Sequence, residues 1–101
     1  LRVNCDVPSA SSAEYAVRYS DELTRVTIGD SVTSIGDYAF NACTSLTSVS
    51  CKPTIPPTGG FSMFSGNASG RTIYVPSDSV EAYKSAKYWK NYAASIVGYD
   101  F

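Results

Sequence analysis

Leu23-Thr24-Arg25-Val26-Thr27-Ile28 and Leu46-Thr47-Ser48-Val49-Ser50-Cys51 are one strand written twice, 23 residues apart, with the Leu, Thr and Val positions identical. Each copy alternates. Val26 and Ile28 fall on one side, Arg25 and Thr27 on the other, the period-2 pattern of a half-buried strand. A step of 23 residues back from Val26 and Ile28 reaches Val3 and Cys5. A step of 24 forward from Val49 and Cys51 reaches Ile73 and Val75, inside Arg71-Thr72-Ile73-Tyr74-Val75-Pro76. The step of 23 also relates Tyr38-Ala39-Phe40 to Tyr15-Ala16-Val17. Four short strands at a near-constant spacing predict a repeating unit whose strands lie side by side.

The residues between two strands must carry the chain round to the next one. In Gly29-Asp30-Ser31-Val32-Thr33-Ser34-Ile35-Gly36-Asp37-Tyr38-Ala39-Phe40, the expected inward set is Val32, Ile35, Ala39 and Phe40, continued by Cys43 and Leu46. Gly29-Asp30 and Gly36-Asp37 read as turns, Gly for positive φ and Asp to cap its own turn. Phe40 is large enough to fill the middle of the unit. A single unit cannot bury its apolar side alone, so stacking has to do it.

The stretch LTRVTIGDSVTSIGDYAFNACTSLTSVS, residues 23–50, resembles the treponemal-type, BspA-like leucine-rich repeats of bacterial surface proteins. Their pattern, LxxxxIPxxVxxIGxxAFxxCxx, is met by Leu23, Ile28, Val32, Ile35, Gly36, Ala39, Phe40, Cys43 and Leu46, with Gly29 in place of the Pro. Residues 1–22 match weakly: Val7-Pro8 fits, but Ser9-Ala10-Ser11-Ser12 departs from VxxI. The C-terminal half resembles the ending of such repeat proteins from gut Bacteroidetes. Its marks are Pro56-Pro57, Phe64, Ile73-Tyr74-Val75-Pro76, Ser79-Val80-Glu81-Ala82-Tyr83-Lys84 and Trp89 with Tyr92-Ala93 and Ile96. The resemblance implies an exported, cell-surface or secreted protein of the binding and adhesion sort.

Residues 77–98 read as one helix or two short ones. Ser77 or Asp78 serves as N-cap, Glu81 lies in the first turn, and Lys84, Lys87 and Lys90 lie toward the other end. Val80, Tyr83, Ala86, Trp89, Tyr92, Ala93 and Ile96 form an apolar stripe at helical spacing, and Gly98 is a candidate stop. A stack of strands needs such an ending, because its last unit otherwise exposes apolar core and an unpaired edge.

Composition narrows the function classes. With 44 % hydrophobic and 17 % charged residues the chain suits a folded domain, and 101 residues allow one. A net charge of −1 speaks against a general nucleic-acid binder. The absence of histidine removes His-based triads, His acid–base chemistry and His-containing metal sites. Cys5, Cys43 and Cys51 lack the paired spacing of a zinc site and read as buried thiols. At equivalent positions two units apart, Cys5 and Cys51 are expected ~9.6 Å from each other, beyond the ~7 Å reach of a disulfide. No apolar run reaches membrane-span length, and the first residues hold no signal-peptide core. The chain therefore reads as a mature segment or a piece of a longer protein.

Several motifs have plain structural readings. Tyr83…Lys87 copies the YxxxK of short-chain dehydrogenases, but no dinucleotide fingerprint accompanies it. Gly59–Gly66 lacks the Lys of a phosphate loop, and Asp21-Glu22 are neighbours rather than opposed carboxylates. Asn67-Ala68-Ser69 is an N-glycosylation sequon, meaningful only in a eukaryotic secretory pathway. The triplets Asp30-Ser31-Val32 and Asp78-Ser79-Val80 look like an O-glycosylation motif of exported Bacteroidetes proteins, at Ser31 and Ser79.

The reading is an α/β fold: a short right-handed leucine-rich-repeat solenoid with a parallel β-ladder and a C-terminal helical cap. Residues 1–76 form the repeat coils and 77–101 the cap of the same domain. The expected function is a non-catalytic cell-surface or secreted module for adhesion or protein interaction, requiring no cofactor and no metal. Carbohydrate binding and a purely structural terminal cap are the alternatives. The partner is a protein of a host or bacterial surface, or a glycan, not nucleic acid, and this segment does not insert in a membrane. The expected binding face is the outward side of the ladder. Arg2, Arg25, Ser48 and Thr72 form one file there, and Asn4, Thr27, Ser50 and Tyr74 the next.

Overall fold

The computed structural model describes residues 3–7, 12–13 and 22–101, the first two segments as backbone. Seven strands occur in it: β1 (Val3–Val7), β2 (Ser12–Ala13), β3 (Leu23–Ile28), β4 (Ser34–Ile35), β5 (Ser48–Cys51), β6 (Thr72–Pro76) and β7 (Ile96–Tyr99). Five make one sheet in the order β1-β3-β5-β6-β7, every neighbour parallel, so spatial order follows chain order. The small pair β2 and β4 is parallel too. The spacings read from the sequence hold at the centre: Val26 lies opposite Val49 and Val49 opposite Ile73.

The register of β1 differs from the expectation. Cys5 lies opposite Val26 and Val7 opposite Ile28, an offset two residues shorter than the internal repeat. A slip of two keeps every side chain on its face, so alternation alone cannot detect it. The first unit is the one whose sequence departs from the repeat, and its shorter length sets the new register. Cys5 is therefore level with Val49, not with Cys51. Cys43 and Cys51 are both buried.

The interior is the predicted one. Val26, Ile28, Val32, Ile35, Ala39, Phe40, Cys43 and Leu46 are all buried. Phe40 and Phe64 stack with centroids 5.7 Å apart and planes 6° from parallel, and Trp89 continues the file 5.9 Å from Phe64. Opposite the sheet, the units hydrogen-bond directly. The N–H groups of Tyr38, Phe40 and Ala42 donate to the carbonyls of Phe61, Met63 and Ser65 at 2.7–3.0 Å. The left-handed conformation expected at Gly29 and Gly36 falls instead on Tyr38, Ala42 and Ser62, and on Gly66. Asp37 caps not its own turn but the next unit's, accepting from the Phe61 N–H at 2.8 Å. Glycine matters at position 60 for another reason: a Cβ there would lie 2.3 Å from the Gly36 carbonyl. The stacked turns touch backbone to backbone.

The C-terminal segment corrects the helical reading of 77–98. A 3₁₀ turn (Ser77–Ser79) leads into α1 (Val80–Ser85), and a second 3₁₀ segment (Trp89–Ser95) leads directly into β7. Neither Ser77 nor Asp78 caps a helix through its side chain. The Ser77 hydroxyl donates to Asp100 Oδ1 at 2.8 Å and the Ser79 hydroxyl to the Thr54 carbonyl at 2.7 Å. Gly98 is not a helix stop. It lies in β7 opposite Val75, where a Cβ would come within 3.2 Å of Ser77 Cα and 3.1 Å of Val80 Cγ2.

Prolines explain how this last segment attaches. Pro53, Pro56 and Pro57 have no N–H to continue the ladder, and the carbonyls of Pro53, Thr54 and Pro57 accept from side chains of the next unit. Tyr83 Oη donates to the Pro53 carbonyl at 2.6 Å and Trp89 Nε1 to the Pro57 carbonyl at 2.8 Å. The two rings meet edge to face, 4.9 Å apart.

Candidate functional site

Each parallel strand adds one outward side chain per two residues, and the register decides which of them meet. Arg25, Ser48 and Thr72 lie opposite one another in one file, as do Thr27, Ser50, Tyr74 and Val97 in the next. Both files were expected from the repeat. The two-residue slip of β1 changes their first members: Asn4, not Arg2, is opposite Arg25, and Asp6, not Asn4, is opposite Thr27. Arg2 lies outside the described residues.

The second file borders a groove of about 420 Å³, lined by Thr27, Ser50, Lys52, Tyr74, Tyr99 and Phe101. Three predicted residues, Thr27, Ser50 and Tyr74, thus come together there. Arg25, Ser48 and Thr72 stand beside it, toward the strand beginnings, and do not line it. Lys52, Tyr99 and Phe101 are additions. Lys52 is the next outward position after Ser50, its N–H still bonded to the Ile28 carbonyl at 3.0 Å, so the alternation beyond β5 already pointed to it. Tyr99 and Phe101 become visible only once Ile96–Tyr99 is recognised as a strand.

The groove's floor is aromatic. Tyr74 and Tyr99 meet edge to face at 5.7 Å, and Tyr99 and Phe101 pack at a tilt of 60°, 5.1 Å apart. Tyr99 is 52 % and Phe101 51 % exposed. The Ser77–Asp100 hydrogen bond pins the chain between these two rings. Lys52, exposed at the rim, adds a positive charge, and Thr27 and Ser50 add hydroxyls. The arrangement offers apolar contact area with polar groups at its border, which suits recognition rather than bond making.

The chemically suggestive residues elsewhere are committed to structure. Burial pushes the Cys51 thiol up to about 12, only partly offset by its 3.4 Å hydrogen bond with Tyr83 Oη, so it is no nucleophile at neutral pH. Tyr83 is shifted upward as well, by burial first and then by Cys51. Its would-be partner Lys87 lies over the Tyr88 ring instead, 5.2 Å from the centroid. Asn67 of the sequon donates to the Phe40 carbonyl at 2.9 Å and the Cys43 carbonyl at 3.3 Å. Of the two Asp-Ser-Val serines, Ser79 is buried while Ser31 is exposed. Asp21 lies outside the described residues. Among the described residues, no cluster of three or more Cys, Asp or Glu is placed to hold a metal, and no helix is long and apolar enough to cross a membrane.

No curated protein matches the chain. A family model described as BspA type leucine rich repeat region (6 copies) matches residues 10–96. That span takes in β3 to β6 and the last helical segment, the part of the chain in which the repeat was read. The strands at near-constant spacing, the all-parallel sheet and the family match agree, and the chain belongs to the BspA type leucine-rich-repeat family.

Proposed function

We propose that this chain is a non-catalytic interaction module of a cell-surface or secreted protein, and that it binds a protein partner through the outer face of its parallel sheet. Leucine-rich-repeat modules generally bind proteins and are generally non-catalytic, which supports the class. The observation that carries the reading is the position of the groove. It opens on the face predicted from the repeat, and its aromatic floor faces solvent beside Lys52. Tyr and Arg are side-chain types enriched where binding energy concentrates, and the face carries Tyr74, Tyr99 and Arg25. The units are read as coils of a right-handed solenoid, with 77–101 closing its end. The buried Trp89 and Tyr83 support that closing role, and the resemblance of the repeats to bacterial surface proteins supports an exported location.

Capture of partners from host or bacterial surface extracts, followed by the double change Tyr74→Ala and Tyr99→Ala, tests the site. Loss of about tenfold or more in affinity is expected for two central aromatics. Undiminished binding moves the site off this face. The hydroxyl-bordered aromatics also favour a second reading, a glycan ligand stacked on Tyr74 or Tyr99. A glycan array decides between the two: protein capture with an empty array supports the first, and saturable array binding that needs Tyr99 supports the second.

A further inference from the structure

The sheet-face groove lies by the strand ends. At the strand beginnings a second cleft of about 390 Å³ is bordered by Ser65, Asn67, Arg71, Tyr92 and Ser95. Arg71 dominates it. Its Nη1 donates to the Phe64 carbonyl at 2.7 Å and to Asn67 Oδ1 at 3.2 Å, and its Nη2 to Ser95 Oγ at 3.3 Å. The guanidinium carbon sits 5.1 Å from the centre of the Tyr92 ring. Every one of these partners is neutral. Nε–H is buried with no acceptor in reach. Among the described residues no carboxylate pairs with this half-buried cation, and burial draws its pKa down, with Tyr92 opposing. A guanidinium stays charged under these conditions, and a partly desolvated charge without a counter-ion is costly.

The groups around it point the same way. Ser95 Oγ accepts from Arg71, and Tyr92 Oη accepts from the Phe64 N–H at 3.2 Å. Each oxygen is thereby used as an acceptor and keeps its O–H to donate. The cleft thus combines one fixed positive charge with two hydroxyl donors and no negative group among the described residues. We propose that it is a carboxylate-binding site, in which Arg71 supplies the charge and its remaining Nη2–H, and Ser95 and Tyr92 supply further donors. A carboxylate supplies the missing counter-charge and accepts from all three donors. It comes either from an Asp or Glu side chain of a partner protein or from a free carboxylic acid.

Nuclear magnetic resonance titration of the whole chain tests this without any variant. The probes are sodium acetate, the peptide acetyl-Gly-Glu-Gly-amide and, as control, sodium chloride at equal ionic strength. Acetate or the peptide is expected to shift the Arg71 Nε–H, Tyr92 and Ser95 signals saturably, in the millimolar range of a single ion pair. Stronger binding of the peptide assigns the site to a partner's side chain, and stronger binding of acetate to a free acid. Ser95→Ala, which leaves Arg71 in place, is expected to weaken binding about tenfold, the loss of one hydrogen bond to a charged group. Arg71→Lys is expected to weaken it about tenfold, because an ammonium cannot keep the bonds to Phe64, Asn67 and Ser95 and still donate to the ligand. Shifts that chloride reproduces, that do not saturate, or that centre on Tyr74 and Tyr99 instead overturn the proposal. Tighter binding of inorganic phosphate than of either carboxylate overturns the ligand class.

Discussion

Single side chains carry much of the join between the unit that begins with β5 and the last. Tyr83 is the clearest, because its hydroxyl satisfies a carbonyl that no backbone N–H reaches. Tyr83→Phe keeps the ring and removes the donor, leaving the buried Pro53 carbonyl unpaired. The expected loss is about 1–3 kcal/mol, readable from urea unfolding midpoints. The neighbouring thiol gives a pH signature. Cys51 has its pKa raised from 9.0 to about 12 in the folded chain, so the unfolded chain loses this proton first. Stability is therefore full below pH 9 and falls between pH 9 and about 12, by at most ~1.4 kcal/mol per pH unit from this group. Tyr83, raised likewise, pushes in the same direction. The melting temperature should drop on going from pH 8 to pH 11, and by less in Cys51→Ala than in the parent. At Gly60 an added methyl meets backbone rather than a movable side chain, so Gly60→Ala should unfold the chain or force its turns apart. Retention of the parent melting temperature would contradict that contact. Alternation in the sequence already identified Thr27, Ser50 and Tyr74 as neighbours, and the repeat marked Phe40 as a filler. The roles of Asp37, Ser77 and Ser79 were not legible. Each bonds a residue 24, 23 or 25 positions away, and a local turn or cap accounts for the same residue type equally well.

At the scale of elements, two misreadings have one origin: the sequence repeat fades at both ends while the ladder continues. β1 keeps the ladder with a shorter unit, and a two-residue slip is invisible to a period-2 pattern. β7 was hidden because Trp89, Tyr92, Ala93 and Ile96 fit helical spacing, and Gly98 looked like punctuation. In the fold Gly98 is required by close packing of β7 on the turn at Ser77 and on α1. The last unit follows the others by 23 residues, Ile73 opposite Ile96, with helices where the earlier units have turns. Tyr99 and Phe101 entered the candidate site only with that strand. Removal of residues 77–101 strips Tyr83, Trp89 and Ile96 from the core, all buried. At about 1.5–3 kcal/mol for each large side chain, the loss approaches the whole stability of a small domain, about 5–10 kcal/mol. The shortened chain should be insoluble or unfolded by circular dichroism. A soluble product melting like the parent would remove the closing role from this segment.

For the molecule as a whole, strand order following chain order has a mechanical consequence. The first and last strands lie at opposite edges of the sheet, and the hydrogen bonds between strands run along the line that joins those edges. Tension applied between β1 and β7 therefore loads these bonds one strand pair after another instead of shearing all of them at once. Under a slow pull the chain should come apart as a zipper does, from an edge inward, in a staircase of small yielding events. Each event frees one unit of 21 to 24 residues, roughly 75–85 Å of extended chain at ~3.5 Å per residue. Optical-trap extension curves with steps of that size are the expected record, and a single rupture releasing the full length would mean that the stack yields as one block. A tether that gives way in increments extends under load while the units still folded keep their outward files in register.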